Sequence, residues 1–229
     1  MSKLPITLYG YEGFFNSSSL HGNVVKNLAN PSKKASIIGN PENLEDTLIV
    51  SGGNGINTGI PDSKNFTYFV IIKNIVSEEQ QQSKPFIIGT SYGRAIGENS
   101  NTYGTALTIS SKDSINFQCA RGNKTTDQIT GSVTIKGIDI SKWNLIWVKC
   151  LNNVTTVRSE TDNIQNSIEF DLPRLLQTDN IKIGTGTSIN TGKSQILNTM
   201  IFNRALGQNE IEKIVNLLKN EAEKLNIII

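Results

Sequence analysis

Glu169-Phe170-Asp171 sets two carboxylates two residues apart in a run that reads as a strand. In an extended strand such residues point to the same side. An acid and a nucleophile about 5 Å apart are what a retaining glycosidase needs. The further Glu on which such a site would draw, two or three residues beyond Asp171, is missing, because Pro173 and Arg174 stand there. Gly186 to Ser194 looks like a phosphate loop, yet five residues separate Gly186 from Gly192 where the motif needs four. A β-branched pattern follows it, whereas a phosphate loop opens a helix, so the segment reads as a turn between two strands. His21, beside Gly22, is the one histidine and reads as an ordinary surface side chain. A single His removes most His-dependent catalysis and most zinc sites. The aspartates at 46, 62, 113, 127, 139, 162, 171 and 179 are scattered, with no Asp-x-Asp-x-Asp loop. They leave room for a calcium ion held by loop carbonyls and one or two carboxylates, and no other cofactor or metal is expected. The chain therefore reads as a non-enzyme.

Binding chemistry is better represented. Ser91-Tyr92-Gly93-Arg94 and Asn99-Ser100-Asn101-Thr102-Tyr103-Gly104 join two apolar runs. Tyr92 and Tyr103 can stack on a sugar ring, while Arg94, Asn99 and Asn101 can hydrogen-bond its hydroxyls. The same residues also suit a Gly/Asn-rich loop with Tyr at its strand ends. They are the ligand-binding candidates because loops carry function more often than cores do.

The elements that must position them are mostly strands. The chain has 229 residues, a net charge of +2, 18% charged and 37% hydrophobic residues. Roughly one residue in eight is Asn. So small a net charge provides no broad field for nucleic acid or anionic lipid, and no apolar run approaches the roughly 18 residues of a membrane helix. Short runs rich in Ile, Val, Thr, Phe and Tyr predict strands over 6–11, 35–38, 47–50, 66–75, 86–90, 104–110, 114–120, 132–138, 144–151, 154–160, 167–171, 181–184 and 196–203. Turn signals separate them at 51–55, 121–123 and 152–153. In the run 144–151, Ile146, Val148 and Cys150 share one face and Leu145, Trp147 and Lys149 the other. Ile211, Ile214, Val215, Leu218, Ala222 and Leu225 fall on one side of a helix over 210–225, with Gly207 as N-cap and Glu210 at N3. The last four residues, 226–229, are apolar enough to be buried or paired as a strand. The polar stretch 77–83 reads as a surface loop. The start lacks a secretory pattern, so a cytoplasmic origin is expected, with Cys119 and Cys150 as buried, unpaired thiols.

The last third of the chain resembles a known family. Trp143-Asn-Leu-Ile-Trp147-Val, Ile181-Lys-Ile183-Gly184-Thr and Ile201-Phe-Asn203-Arg204-Ala205-Leu206-Gly207-Gln-Asn-Glu210-Ile211 are similar to the concanavalin A-like, laminin G-type jelly roll. There a Trp opens a central strand, and an Asn-Arg-Ala-Leu-Ser-x-x-Glu-Ile segment leads into a closing helix. Gly207 stands here in place of the Ser. The resemblance implies an all-β, two-sheet jelly-roll sandwich over residues 1–229. Residues 1–20 would form an N-terminal strand or arm, and 208–225 a closing amphipathic helix. The polar loops look like those of family members in bacteriophage and prophage virions. A tail or fibre component follows, binding a host-cell surface glycan or receptor beside other virion proteins, folded in the host cytoplasm and located in the virion. Capsid decoration and a glycoside hydrolase are the alternatives. Nucleic acid and membrane insertion are not expected, and a homo-oligomer is left open.

Overall fold

A computed structural model describes residues 9–17, 26–44, 46–75, 83–187 and 190–229. Among them the strands, in chain order, are β1 (Tyr11–Asn16), β2 (Ser36–Ile38), β3 (Glu42–Leu44), β4 (Thr47–Val50), β5 (Gly55–Pro61), β6 (Phe66–Asn74), β7 (Phe86–Gly89), β8 (Tyr92–Arg94), β9 (Asn101–Tyr103), β10 (Ala106–Ser111), β11 (Ser114–Arg121), β12 (Ile129–Lys136), β13 (Asn144–Leu151), β14 (Val154–Ser159), β15 (Ile164–Glu169), β16 (Asn180–Ile183) and β17 (Ser194–Phe202). One helix, α1 (Gln208–Glu223), follows. An eight-stranded sheet runs β15-β14-β13-β6-β17-β4-β3, with β1 added onto β17. A seven-stranded sheet runs β12-β11-β10-β7-β16-β5-β2, and β8 and β9 pair with each other. The two large sheets form the expected all-β jelly-roll sandwich with one C-terminal amphipathic helix.

Side-chain alternation builds the layers. Ile146, Val148 and Cys150 of β13 point between the sheets, and Leu145 and Trp147 point the other way. Strand β6 is apolar on both faces. Phe66, Tyr68, Val70 and Ile72 enter the sandwich, while Phe69 and Ile71 lie under α1 with Met200, Phe202 and Leu206. The helix closes that outer face with Ile211, Ile214, Val215, Leu218 and Ala222, the stripe read from the sequence. At its start the Glu210 carboxylate accepts the Gly207 N–H at 2.9 Å. The order is thus helix, eight-stranded sheet, seven-stranded sheet. Among the described residues no helix covers the outer face of the second sheet, and its alternate positions there include Thr108, Ser110, Asn116, Gln118, Ser132 and Thr134, with Lys136 and Lys182.

Several expectations need correction. The first described strand is Tyr11–Asn16, after a turn with Gly10 at φ 76°; residues 6–8 of the expected strand lie outside the described residues. The expected strand 167–171 is Ile164–Glu169, paired throughout with β14. Asp171 therefore lies beyond it, and the same-face argument for Glu169 and Asp171 does not apply. The last four residues form no strand: Asn226 turns the chain at φ 56°, Ile227 and Ile229 pack under the helix, and Ile228 is 90% exposed. Strand β5 was not expected, because Gly, Asn and Pro interrupt it. It holds Ile56 and Ile60 in the core all the same. Cys119 and Cys150 are buried and free, as expected. His21 and residues 76–82 lie outside the described residues. Gly186 to Ser194 connects β16 to β17, although 188 and 189 are also outside.

Candidate functional site

The site is built on the β8–β9 hairpin, which extends the connection between the neighbouring strands β7 and β10. Its pairs are Tyr92 with Tyr103, Gly93 with Thr102 and Arg94 with Asn101. Alternation divides them. Thr102 is buried, its hydroxyl donating to the Gln128 side-chain carbonyl at 2.8 Å, and Gly93 abuts Gln177 and Asp179. Tyr92, Arg94, Asn101 and Tyr103 are exposed on the opposite face. The two tyrosine rings lie 5.2 Å apart at 57°, and each is about half exposed. Four of the five sequence candidates therefore share one surface. The fifth, Asn99, lies in the tip between the strands, where its side-chain carbonyl accepts from Arg94 Nη2. That leaves the Asn99 amide N–H groups to face outward as donors.

The hairpin is anchored from beneath by the segment between β15 and β16. Thr178 N–H donates to the Arg94 carbonyl at 2.9 Å, and Ile96 N–H to the Leu176 carbonyl at 2.9 Å. Gln177 is buried, and its side-chain amide donates to the Ser91 carbonyl at 3.1 Å. Gly104 leaves the room this needs, since a Cβ there would meet the Gln177 amide and the Thr90 hydroxyl. Ser91 adopts φ 67°, a conformation that costs a non-glycine residue roughly 1–3 kcal/mol and persists only when its surroundings over-determine it. Its N–H donates to Thr105 O at 3.0 Å, and its carbonyl accepts from both Gly104 and Gln177.

Deeper still lies an ion pair with no solvent exposure. Arg174 Nη2 donates to Asp62 Oδ1 and Oδ2 at 2.8 and 3.0 Å. The guanidinium also contacts the Ser63 carbonyl and lies 4.8 Å from the Phe66 ring. Burial works against the Arg174 charge, but Asp62 outweighs it with help from smaller contributions, and the pKa is raised. Asp62 Oδ2 also accepts Gln177 N–H at 3.4 Å, which links the pair to the hairpin support. Arg121, also fully buried, donates to Thr155 Oγ1 at 2.6 Å and Leu172 O at 3.2 Å and covers the Phe170 ring at 4.1 Å. Burial pushes the Cys119 thiol up.

Two concavities flank the hairpin. One, about 200 Å³, runs from Tyr103 and Ser91 onto the outer face of the seven-stranded sheet, over Thr108, Asn116, Gln118 and Asn190. The other, about 330 Å³, lies against Arg94, Glu98, Asn99 and Thr178. The sheet residues of the first were not among the sequence candidates. Their signal was present in β10 to β12, where uncharged polar residues alternate with core residues, as in Leu107-Thr108-Ile109 and Ile115-Asn116-Phe117. Asn116 is held in place by Ser132 and Thr134, which donate to its side-chain carbonyl at 2.5 and 2.9 Å. Among the described residues no three His, Cys, Asp or Glu side chains gather as a metal ion would need, and no helix is long and apolar enough to cross a membrane.

No family model matches the sequence, and neither does any curated protein. Solved structures do share the fold, and their class is the β-sandwich binding domain. The binding domain of Paraclostridial Mosquitocidal Protein 1 superposes with a TM-score of 0.67 at 12% identity, over 92% of this chain and 53% of that one. The binding domain of botulinum neurotoxin serotype G gives 0.64 at 14%, over 91% and 51%. The chain thus spans about half the length of these two structures. The CBM40 of the Ruminococcus gnavus IT-sialidase, bound to alpha2,3 sialyllactose, gives 0.51 at 11%, over 66% of this chain and 83% of that one.

Proposed function

We propose that this chain is a non-enzymatic module that binds glycans on a cell surface through the β8–β9 hairpin. The observation that carries this reading is the shared outer face of Tyr92, Arg94, Asn101 and Tyr103 on an anchored hairpin. Half-exposed aromatic rings offer a stacking surface, and the neighbouring amides and guanidinium can exchange hydrogen bonds with hydroxyls. The groove leading from Tyr103 extends that surface with the polar side chains of Thr108, Asn116, Gln118 and Asn190, and with Lys84 at its margin. Binding would be reversible and individually weak, gaining strength from several copies acting together. The structural relatives, two toxin binding domains and a sialyllactose-bound domain, support the same reading.

A glycan array probed with the chain in multivalent form tests it. Tyr103→Ala and Tyr92→Ala are expected to weaken binding by about tenfold or more, in line with the worth of an aromatic contact. Ile37→Ser, on the opposite edge strand β2, is the control and leaves it unchanged. Unchanged binding by both Tyr variants would refute the hairpin as the site.

The finer reading is supported by the resemblance of the last third of the sequence. We take residues 1–229 as one jelly-roll domain of a bacteriophage tail or fibre component, with a host-cell surface glycan or receptor as partner. Antibody labelling of purified particles tests the assignment. Label on tails or fibres is expected, and label spread over capsids would replace it with a decorating role.

A further inference from the structure

We infer that the ligand of the β8–β9 hairpin carries an anionic group, a carboxylate or a sulfate or phosphate ester, that docks on Arg94. The inference rests on the hairpin being the glycan site and adds the chemical class of its ligand. Arg94 is exposed and pre-oriented. Its Nε donates to the Glu98 carbonyl at 2.9 Å and its Nη2 to the Asn99 side chain. Both acceptors are neutral. Nη1 has no partner among the described residues.

The acid best placed to neutralise Arg94 is turned away from it. The Glu98 carboxylate accepts the Thr125 N–H at 3.1 and 3.2 Å and the Thr125 hydroxyl at 2.6 Å. The other two arginines that reach solvent behave differently: Arg158 holds Glu160 at 2.6 Å, and Arg204 holds Glu210 at 2.5 Å. Arg94 is therefore the partly solvated arginine that lacks a carboxylate partner among the described residues. It borders the concavity of about 330 Å³ and stands on the same hairpin face as Tyr92 and Tyr103. A guanidinium held on two sides, with N–H groups unclaimed, fits an oxyanion better than it fits a hydroxyl, because charge-assisted hydrogen bonds are shorter and roughly twice as strong. A sugar ring against the tyrosines would bring a ring substituent within its reach.

The test measures binding of the multivalent chain to α2,3-sialyllactose, lactose, a glucuronate-terminated disaccharide and sulfated lactose. At least one acidic probe is expected to bind about tenfold or more above its neutral counterpart. Which acidic probe wins separates a carboxylate from a sulfate ester. Arg94→Gln is expected to abolish the preference, and Arg94→Lys to retain part of it. Added salt should weaken acidic probes and spare neutral ones. The inference alone falls if lactose binds as well as the acidic probes, or if the preference survives in Arg94→Gln, while Tyr103→Ala still weakens binding. If no glycan binds the intact chain, the hairpin reading falls and takes this inference with it. Circular dichroism and thermal melting of Arg94→Gln separate lost binding from lost folding; should Arg94→Gln misfold, the Arg94→Lys chain and the salt dependence carry the decision.

Discussion

Arg174 and Asp62 stabilise the site from a position where neither charge meets water. Removing one partner of such a pair leaves the other charge buried and uncompensated, which costs about 3–5 kcal/mol. Arg174→Met or Asp62→Asn should therefore lower the unfolding free energy obtained from urea denaturation by that much. The double variant Asp62→Leu/Arg174→Met should recover a large part of the loss, since apolar replacements of similar volume are often neutral. Nothing in residue type distinguishes Arg174 from a surface arginine, because arginines are mostly exposed. Its partner lies 112 residues away in sequence, so spacing could not reveal the pair. Glu210 is a second case at this scale. Arg204 and the Gly207 N–H hold its carboxyl at about 2, below the ordinary 4.5. A pKa depressed in the folded state stabilises above the unfolded value and is lost as pH falls through the folded one. Glu210→Gln should cost about 0.5–1 kcal/mol near neutral pH, and the difference from the parent should vanish between about pH 4.5 and about 2. Denaturation curves at a series of pH values check both sign and window.

Among the elements, α1 and β13 were legible because their periods of 3.6 and 2 are each expressed by large apolar residues. Ile211, Ile214, Val215 and Leu218 fall on one stripe, and Ile146 and Val148 on one face. Strand β5 was hidden by Gly, Asn and Pro, residues that disfavour strands but are tolerated where neighbours fix the backbone. The hairpin residues stood out in the sequence as a group of candidates, yet not as paired strands, because β8 and β9 have three residues each and their support comes from the segment between β15 and β16. That support makes a prediction at the element scale. Gly104→Ala forces a Cβ against Gln177 and Thr90, and overpacking of this kind costs roughly 1–3 kcal/mol. It should lower both thermal stability and glycan binding. Hydrogen exchange should then report faster opening at Ser91 and Gly104, with the helix layer unaffected.

At the scale of the molecule, the helix covers the outside of one sheet, whereas the other sheet presents a mostly uncharged polar surface with Lys136 and Lys182 on it. That asymmetry, together with a net charge of +2, agrees with recognition by stacking and short-range hydrogen bonds. Arg94 adds a local charge without creating a broad field. The low charge in the composition pointed to this kind of contact but could not locate it, because the seven-stranded face is assembled from β10, β11 and β12 only after folding. The central claim is that the hairpin face is where a glycan binds. Amide chemical-shift mapping during titration with α2,3-sialyllactose tests it most directly. The account predicts the largest shifts at Tyr92, Arg94, Asn99, Asn101 and Tyr103, with smaller ones at Asn116 and Gln118 along the groove. Shifts confined to the helix side of the molecule, or to the edge strands β2 and β3, would contradict it.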